Sequence, residues 1–174
     1  MGSTPEAVEA FKAGALDWIS TVEPYVTALL RDVPGAHLLS DGRDIYGAGY
    51  SDCVLTAQID AIERKPDAVT AAIVALMRAQ RAYETELETV LGKLVGRYYK
   101  TSLDNLRIAS SRQRVQVDQR DQTDFIMKRS ESLVAMGYLP RLPRRELMDW
   151  SLLERAIAAN RALWESLERR TVPA

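Results

Sequence analysis

The residues that could do chemistry are few, and their types decide much. One histidine, His37, and one cysteine, Cys53, occur in 174 residues. A single cysteine excludes an internal disulfide and a cysteine-based zinc site. A Cys/His catalytic pair would need the two side by side, and they fall in separate predicted elements. His37 follows Pro34-Gly35 at a predicted strand entrance, where an imidazole is a surface residue rather than a base. The glycines of 42–49 fit neither a dinucleotide nor a phosphate loop, because no Lys-Ser/Thr follows and no helix opens directly behind them. No serine sits in a nucleophile elbow. Asp118, Asp121 and Asp124 are spaced like metal ligands, but Gln119-Arg120 intervenes, and no glycine turn or closing glutamate follows as a calcium loop requires. Capping and solvated helix charge account for that triplet, and Asp41/Asp44 suggests no more. The expectation is a non-enzyme, with no catalytic residue, no cofactor and no metal.

What remains suits non-covalent binding. Thr21 and Glu23 lie at the carboxyl end of a predicted strand and the start of a helix, where ligands of open α/β sheets gather. Tyr46 and Tyr50 sit in a loop, 41–51, that holds three glycines, and either ring could stack on or hydrogen-bond a solute. Ser51 and Cys53 are weaker candidates. Each has a plain structural counterpart. Glu23 could be only a helix-start acid worth about 0.3–1 kcal/mol, the tyrosines could cover a sheet edge, and Trp18 is expected in the core.

The elements that must position these residues change character along the chain. Thr4-Pro5-Glu6 starts a helix with a hydroxyl cap, a proline at the first helical position and an acid at the positive dipole end. Gly14 stops it. Residues 16–22, 36–40 and 53–57 read as short strands, with a helix through Tyr25, Val26, Leu29 and Leu30 that ends at Val33-Pro34-Gly35. That order is an α/β signature. From Ile59 the pattern is helical. The helix starting at Pro66 carries an apolar face of Val69, Ile73, Leu76, Ala79/Gln80, Tyr83 and Leu87, continued through Val90, Leu91, Leu94, Val95 and Tyr98. Thr101–Asp104 and Ser151–Glu154 have capping-box spacing. Residues 113–119 look extended, 121–136 helical until Gly137, and Pro140 and Pro143 mark a surface turn. Three strands are too few for a sheet buried on both faces.

Composition narrows the function classes. The chain is 47% hydrophobic and 27% charged, as folded proteins are. A net charge of −1 argues against nucleic acid as partner. Residues 1–60 hold 3 Lys/Arg against 9 Asp/Glu, whereas residues 61–174 hold 20 against 15, so the two portions belong to different structural units. The longest apolar run, Ala71 to Met77, is far short of a membrane span. The N-terminus shows no basic and apolar signal-peptide pattern, so the chain as written is expected in the cytoplasm.

The stretch Pro5–Asp17, with Ala13-Gly14-Ala15-Leu16-Asp17, and then Val22-Glu23-Pro24-Tyr25-Val26, resembles the nitrate/sulfonate/taurine-type substrate-binding proteins of ABC importers. Leu38–Gly42, Tyr50–Leu55 and Lys65–Val69 continue the likeness, which covers about residues 4–160. It implies an α/β, partial type II periplasmic-binding-protein fold. Residues 1–57 would be part of the second lobe and 58–174 a helical region that packs on a first lobe the chain lacks. It further implies a small organic or oxyanionic solute, bound by Thr21, Glu23, Tyr46 and Tyr50, an ABC permease as partner, and a periplasmic or cell-surface setting for the family. A missing lobe would mean a truncated product, a fragment or one half of a split protein, and exposed apolar faces on the 66–99 helices would then drive homo-oligomerisation. The competing expectation is a non-catalytic helical interaction or regulatory domain that has lost ligand binding.

Overall fold

The structure is a computed structural model that describes residues 4–170. In chain order its helices are α1 (Thr4–Lys12), α2 (Tyr25–Asp32), α3 (Arg43–Tyr46), α4 (Ile59–Arg64), α5 (Pro66–Thr85), α6 (Leu87–Leu94), α7 (Leu103–Arg112), α8 (Thr123–Ala135), α9 (Ser151–Ala159) and α10 (Arg161–Ser166). They gather into two compact units, one from residues 1–41 and 86–114, the other from 42–85 and 115–174. Neither unit is a consecutive stretch of the chain.

In the first unit α2 packs on α1 and α7, and α6 packs on α7. Val8, Ala28, Leu29, Leu91, Leu106 and Ala109 are buried there. The helix ends follow local chemistry. Gly14 takes φ 72° after α1, and Val33 turns extended after α2. Ser102 caps α7, its hydroxyl accepting from the Asn105 amide at 3.2 Å. The expected box began one residue earlier, but Thr101 instead accepts from the Asn105 side chain at 2.9 Å. Arg107 joins α6 to α7 by pairing with Glu88 at 2.6 Å. The hydrogen bond from Arg107 is the main reason the Glu88 carboxyl is held below its ordinary pKa.

The second unit has its core between α5 and the pair α9–α10, where Ile73, Met77, Leu153, Ala156 and Leu167 are buried. The face α5 buries is Ile73, Met77 and Gln80, rotated from the expected one, since Leu76 is 41% exposed. Covered by α9 and α10, this face is not left open to solvent, contrary to the expectation for the 66–99 helices. The long helix also breaks at Glu86, which leaves helical geometry at φ −133°, ψ 39°. Beside the core, Asp118 is fully buried and accepts from Arg120 Nε and from a terminal guanidinium nitrogen, both at 2.9 Å. This hydrogen bonding is the chief cause of the raised Arg120 pKa. Ser151 does not cap α9. The Glu154 amide that its hydroxyl would have bound donates to the Trp150 carbonyl at 2.9 Å, and Asp149 accepts from the Ser151 amide at 2.8 Å.

The three expected strands do not form. Residues 16–22, 36–40 and 53–57 run without regular structure, and the described residues contain one isolated bridge, Val95 to Tyr99, in the α6–α7 turn. A strand needs a neighbour about 4.8 Å away to take its backbone N–H and C=O groups, and no described segment supplies one. Their side chains are exposed as a result: Trp18 by 74%, Leu39 by 79% and Leu55 by 58%. Trp18 is therefore not a core residue, and the α/β reading is replaced by a helical architecture over the described residues.

Candidate functional site

The glycine-rich loop is built to bring two tyrosine rings together. Gly42 (φ 87°), Gly47 (φ 84°) and Gly49 (φ 78°) all adopt left-handed geometry, which side-chain-bearing residues rarely tolerate. The Tyr46 amide donates to the Gly42 carbonyl at 2.8 Å and the Gly47 amide to Arg43 at 2.9 Å, closing α3 as a single turn. A side chain at 42 would also have to push the Tyr50 ring aside. A Cβ there would lie 2.5 Å from the Tyr50 hydroxyl and 2.9 Å from its ring carbon Cζ.

The ring centroids of Tyr46 and Tyr50 stand 5.2 Å apart, and each is 6.2 Å from that of Phe125 on α8. One turn further along α8, Arg129 places its guanidinium carbon 4.4 Å from the Tyr46 centroid and donates to the Tyr46 hydroxyl at 2.7 Å. A cation over an aromatic face is worth about 0.5–2 kcal/mol as it is desolvated. Arg129 is half-buried, and no carboxylate among the described residues pairs with it.

Beside this cluster lies a hollow of about 190 Å³, bounded by Ser51–Val54 on one side and by Phe125, Ile126, Arg129, Ser130 and Leu133 on the other. The loop side is tied down by Gln119. The Ser51 hydroxyl donates to Gln119 Oε1 at 2.7 Å, and Gln119 Nε2 donates to the Cys53 carbonyl at 3.0 Å. The Ser130 hydroxyl is turned back onto Ile126 of its own helix at 2.9 Å. Apolar side chains, the Phe125 ring, the Arg129 guanidinium and Asp52 border this hollow, which can hold a small solute with an apolar part and a polar group. Roughly 150 Å³ already admits a benzene-sized molecule.

Thr21 and Glu23 belong to the other unit. Glu23 is committed to the fold. One carboxylate oxygen accepts from the Thr27 amide at 3.0 Å and the other from Arg112 at 2.9 Å, with the side chain 9% exposed. It thus supplies the cap that Pro24 cannot give α2. The Thr21 hydroxyl oxygen is buried without a hydrogen-bond partner. His37 is exposed, its Nδ1 3.4 Å from the Gly35 carbonyl. Among the described residues no three His, Cys, Asp or Glu side chains stand close enough to share a metal ion.

Of the residues in and around this aromatic cluster, the sequence pattern singled out Tyr46 and Tyr50 and gave no sign of Phe125 and Arg129. The available signal was weak: an i, i+4 aromatic–arginine pair on a polar helix, which reads as an ordinary surface feature.

The NMT1-like family model matches residues 3–90, and no curated protein and no solved structure matches the chain. The match takes in Thr21, Glu23, Tyr46 and Tyr50, and it ends before α8. Phe125 and Arg129 therefore lie outside the matched stretch.

Proposed function

The chain belongs to the NMT1-like family, and from that premise we propose that it is the substrate-binding component of an ABC importer for a small organic or oxyanionic solute. The family is one of nitrate/sulfonate/taurine-type substrate-binding proteins, which serve ABC transport, work with a permease and are typically periplasmic. No helix among the described residues is long and apolar enough to cross a membrane. The family implies a periplasmic-binding fold, whose strands the described residues do not form.

The observation that carries the reading is Arg129, a half-buried guanidinium over the Tyr46 ring that lines the hollow and forms no ion pair among the described residues, with Asp52 as the one acid on the opposite side. A solute carboxylate or oxyanion satisfies it while Phe125, Ile126 and Leu133 take the rest of the molecule. In this reading Tyr46 and Tyr50 face the solute, and Glu23 holds α2.

The test is calorimetric titration of the chain with a panel of small sulfonates, carboxylates, amines and oxyanions, repeated on Arg129→Gln. A hydrogen bond to a charged group is worth about 1.5–3 kcal/mol, so the variant loses roughly 10- to 150-fold in affinity for the solute that binds. Absence of heat with every compound, or an unchanged affinity in Arg129→Gln, refutes this site. The competing reading, a non-catalytic interaction domain, is favoured by the exposed Trp18 and Leu39. It predicts a chain that binds no solute but captures a protein partner through those residues.

A further inference from the structure

The segment after α8 presents apolar and basic side chains to solvent from an ordered backbone. Gly137 turns the chain at φ 78°, and the amides of Tyr138 and Leu139 both donate to the Leu133 carbonyl, at 2.9 and 3.2 Å. At the far end a tight turn over Arg145–Leu147 is closed by Leu147 to Arg144 at 3.0 Å and Met148 to Arg145 at 2.9 Å. Pro140 and Pro143 stiffen the stretch between. Despite this anchoring, Met136, Tyr138, Leu142 and Leu147 are 54%, 77%, 45% and 50% exposed. Single exposed apolar residues are ordinary, but four lie exposed within the twelve residues 136–147, a density that suits a partner surface.

The charges around them point to its chemistry. Arg141 and Arg144 are exposed and have no carboxylate partner among the described residues. Arg145 pairs with Asp124 at 2.7 Å, and Glu146 is the only acid in residues 136–147. We propose that this loop is a peripheral membrane contact, in which anionic lipid headgroups take Arg141 and Arg144 while Tyr138 and Leu142 enter the headgroup–acyl boundary. An anionic bilayer answers both halves of the surface, since cations near it gain Coulomb energy and aromatic and aliphatic side chains gain burial. Nucleic acid would use the arginines and leave the aliphatic residues wet. The Pro140-x-x-Pro143 spacing suits an aromatic groove only when extended, and the chain bends at residues 138–141.

The experiment is co-sedimentation of the full chain with vesicles of phosphatidylcholine alone and of phosphatidylcholine with phosphatidylglycerol. The expected result is binding to the anionic vesicles only, weakened by salt. Each arginine near such a surface contributes about fivefold, so R141E/R144E reduces partitioning by roughly 25-fold or more. Y138S/L142S reduces it at unchanged salt dependence. These positions are exposed, and far-UV circular dichroism checks that both variants keep the wild-type fold. The proposal is overturned if the wild-type chain ignores anionic vesicles, if it binds neutral ones equally, or if R141E/R144E binds like wild type. Preferential binding of single-stranded DNA over the anionic vesicles overturns it as well. No residue of the solute hollow is altered, so a failed solute titration and a failed vesicle assay are independent results.

Discussion

Replacing Gln80 with leucine tests how the helical core of the second unit holds the rim of the hollow. Gln80 is fully buried. Its Oε1 accepts from the Val117 amide at 2.8 Å, and its Nε2 donates to the Arg169 carbonyl at 2.9 Å and to Glu84 at 2.8 Å. Leucine keeps a similar volume and removes all three bonds. The Val117 N–H is then left without a partner, at a cost of about 1–3 kcal/mol. The Arg169 carbonyl adds less, because it is half-buried and a second lone pair leaves it less dependent on one donor. Glu84 keeps the amides of Glu168 at 3.0 Å and Arg169 at 3.3 Å. Apolar burial of the new side chain returns about 1 kcal/mol, so the net loss is roughly 1–3 kcal/mol. For a unit of this size that lowers Tm by about 5–15 °C, read by circular dichroism melting. Val117 lies two residues from Gln119, which anchors Ser51 and Cys53, so amide exchange across 51–53 should speed up in the same variant. A Q80L chain that melts with the wild type refutes the energetics. A destabilised one with unchanged exchange at 51–53 refutes the link to the hollow.

Three further perturbations have defined outcomes. Gly42→Ala imposes a left-handed strain of about 1–2 kcal/mol and drives its new methyl into the Tyr50 hydroxyl; near-UV circular dichroism should report displaced tyrosines, and solute affinity should fall severalfold. Glu23→Ala removes the acceptor for the buried Thr27 amide, about 1 kcal/mol, and an ion pair to a half-exposed Arg112 worth a few tenths; Glu23→Gln keeps the acceptor and loses at most about 0.5 kcal/mol, and urea titrations that find the two equal would count against the cap. The Asp149 carboxyl is held below its ordinary 3.8, first by its hydrogen bonds from Ser151. A depressed folded pKa means that this stabilisation is present above 3.8 and is lost as pH falls through the lower folded value. Asp149→Ala should therefore cost about 0.5–1 kcal/mol near neutrality, and urea titrations across pH should show the gap closing well below 3.8.

Residue types were enough wherever the deciding physics is local. Gly14 ends α1, Val33-Pro34-Gly35 ends α2 and Gly137 ends α8, because such a stop is settled by a few neighbouring atoms. The same patterns misplace what depends on distant chain. Leu76 and Met77 are both apolar and adjacent, and only the arrival of α9 and α10 selects Met77 as the buried one. Residues 16–22 are a short β-type run, yet β-propensity expresses a preference for a pleated surface and cannot supply the neighbour that completes a ladder. The site divides along the same line. Tyr46 and Tyr50 are legible because the glycines that aim them are adjacent in sequence. Arg129 and Phe125 lie some eighty residues on, and only tertiary packing makes one the cation and the other the wall of the same hollow. The family likeness reaches the tyrosines and stops at residue 90, so the cation was within reach of neither pattern nor resemblance. Residues of that kind, polar on a solvent-facing helix until a loop folds over them, are where function goes unread in a sequence and where Arg129→Gln has the most to decide.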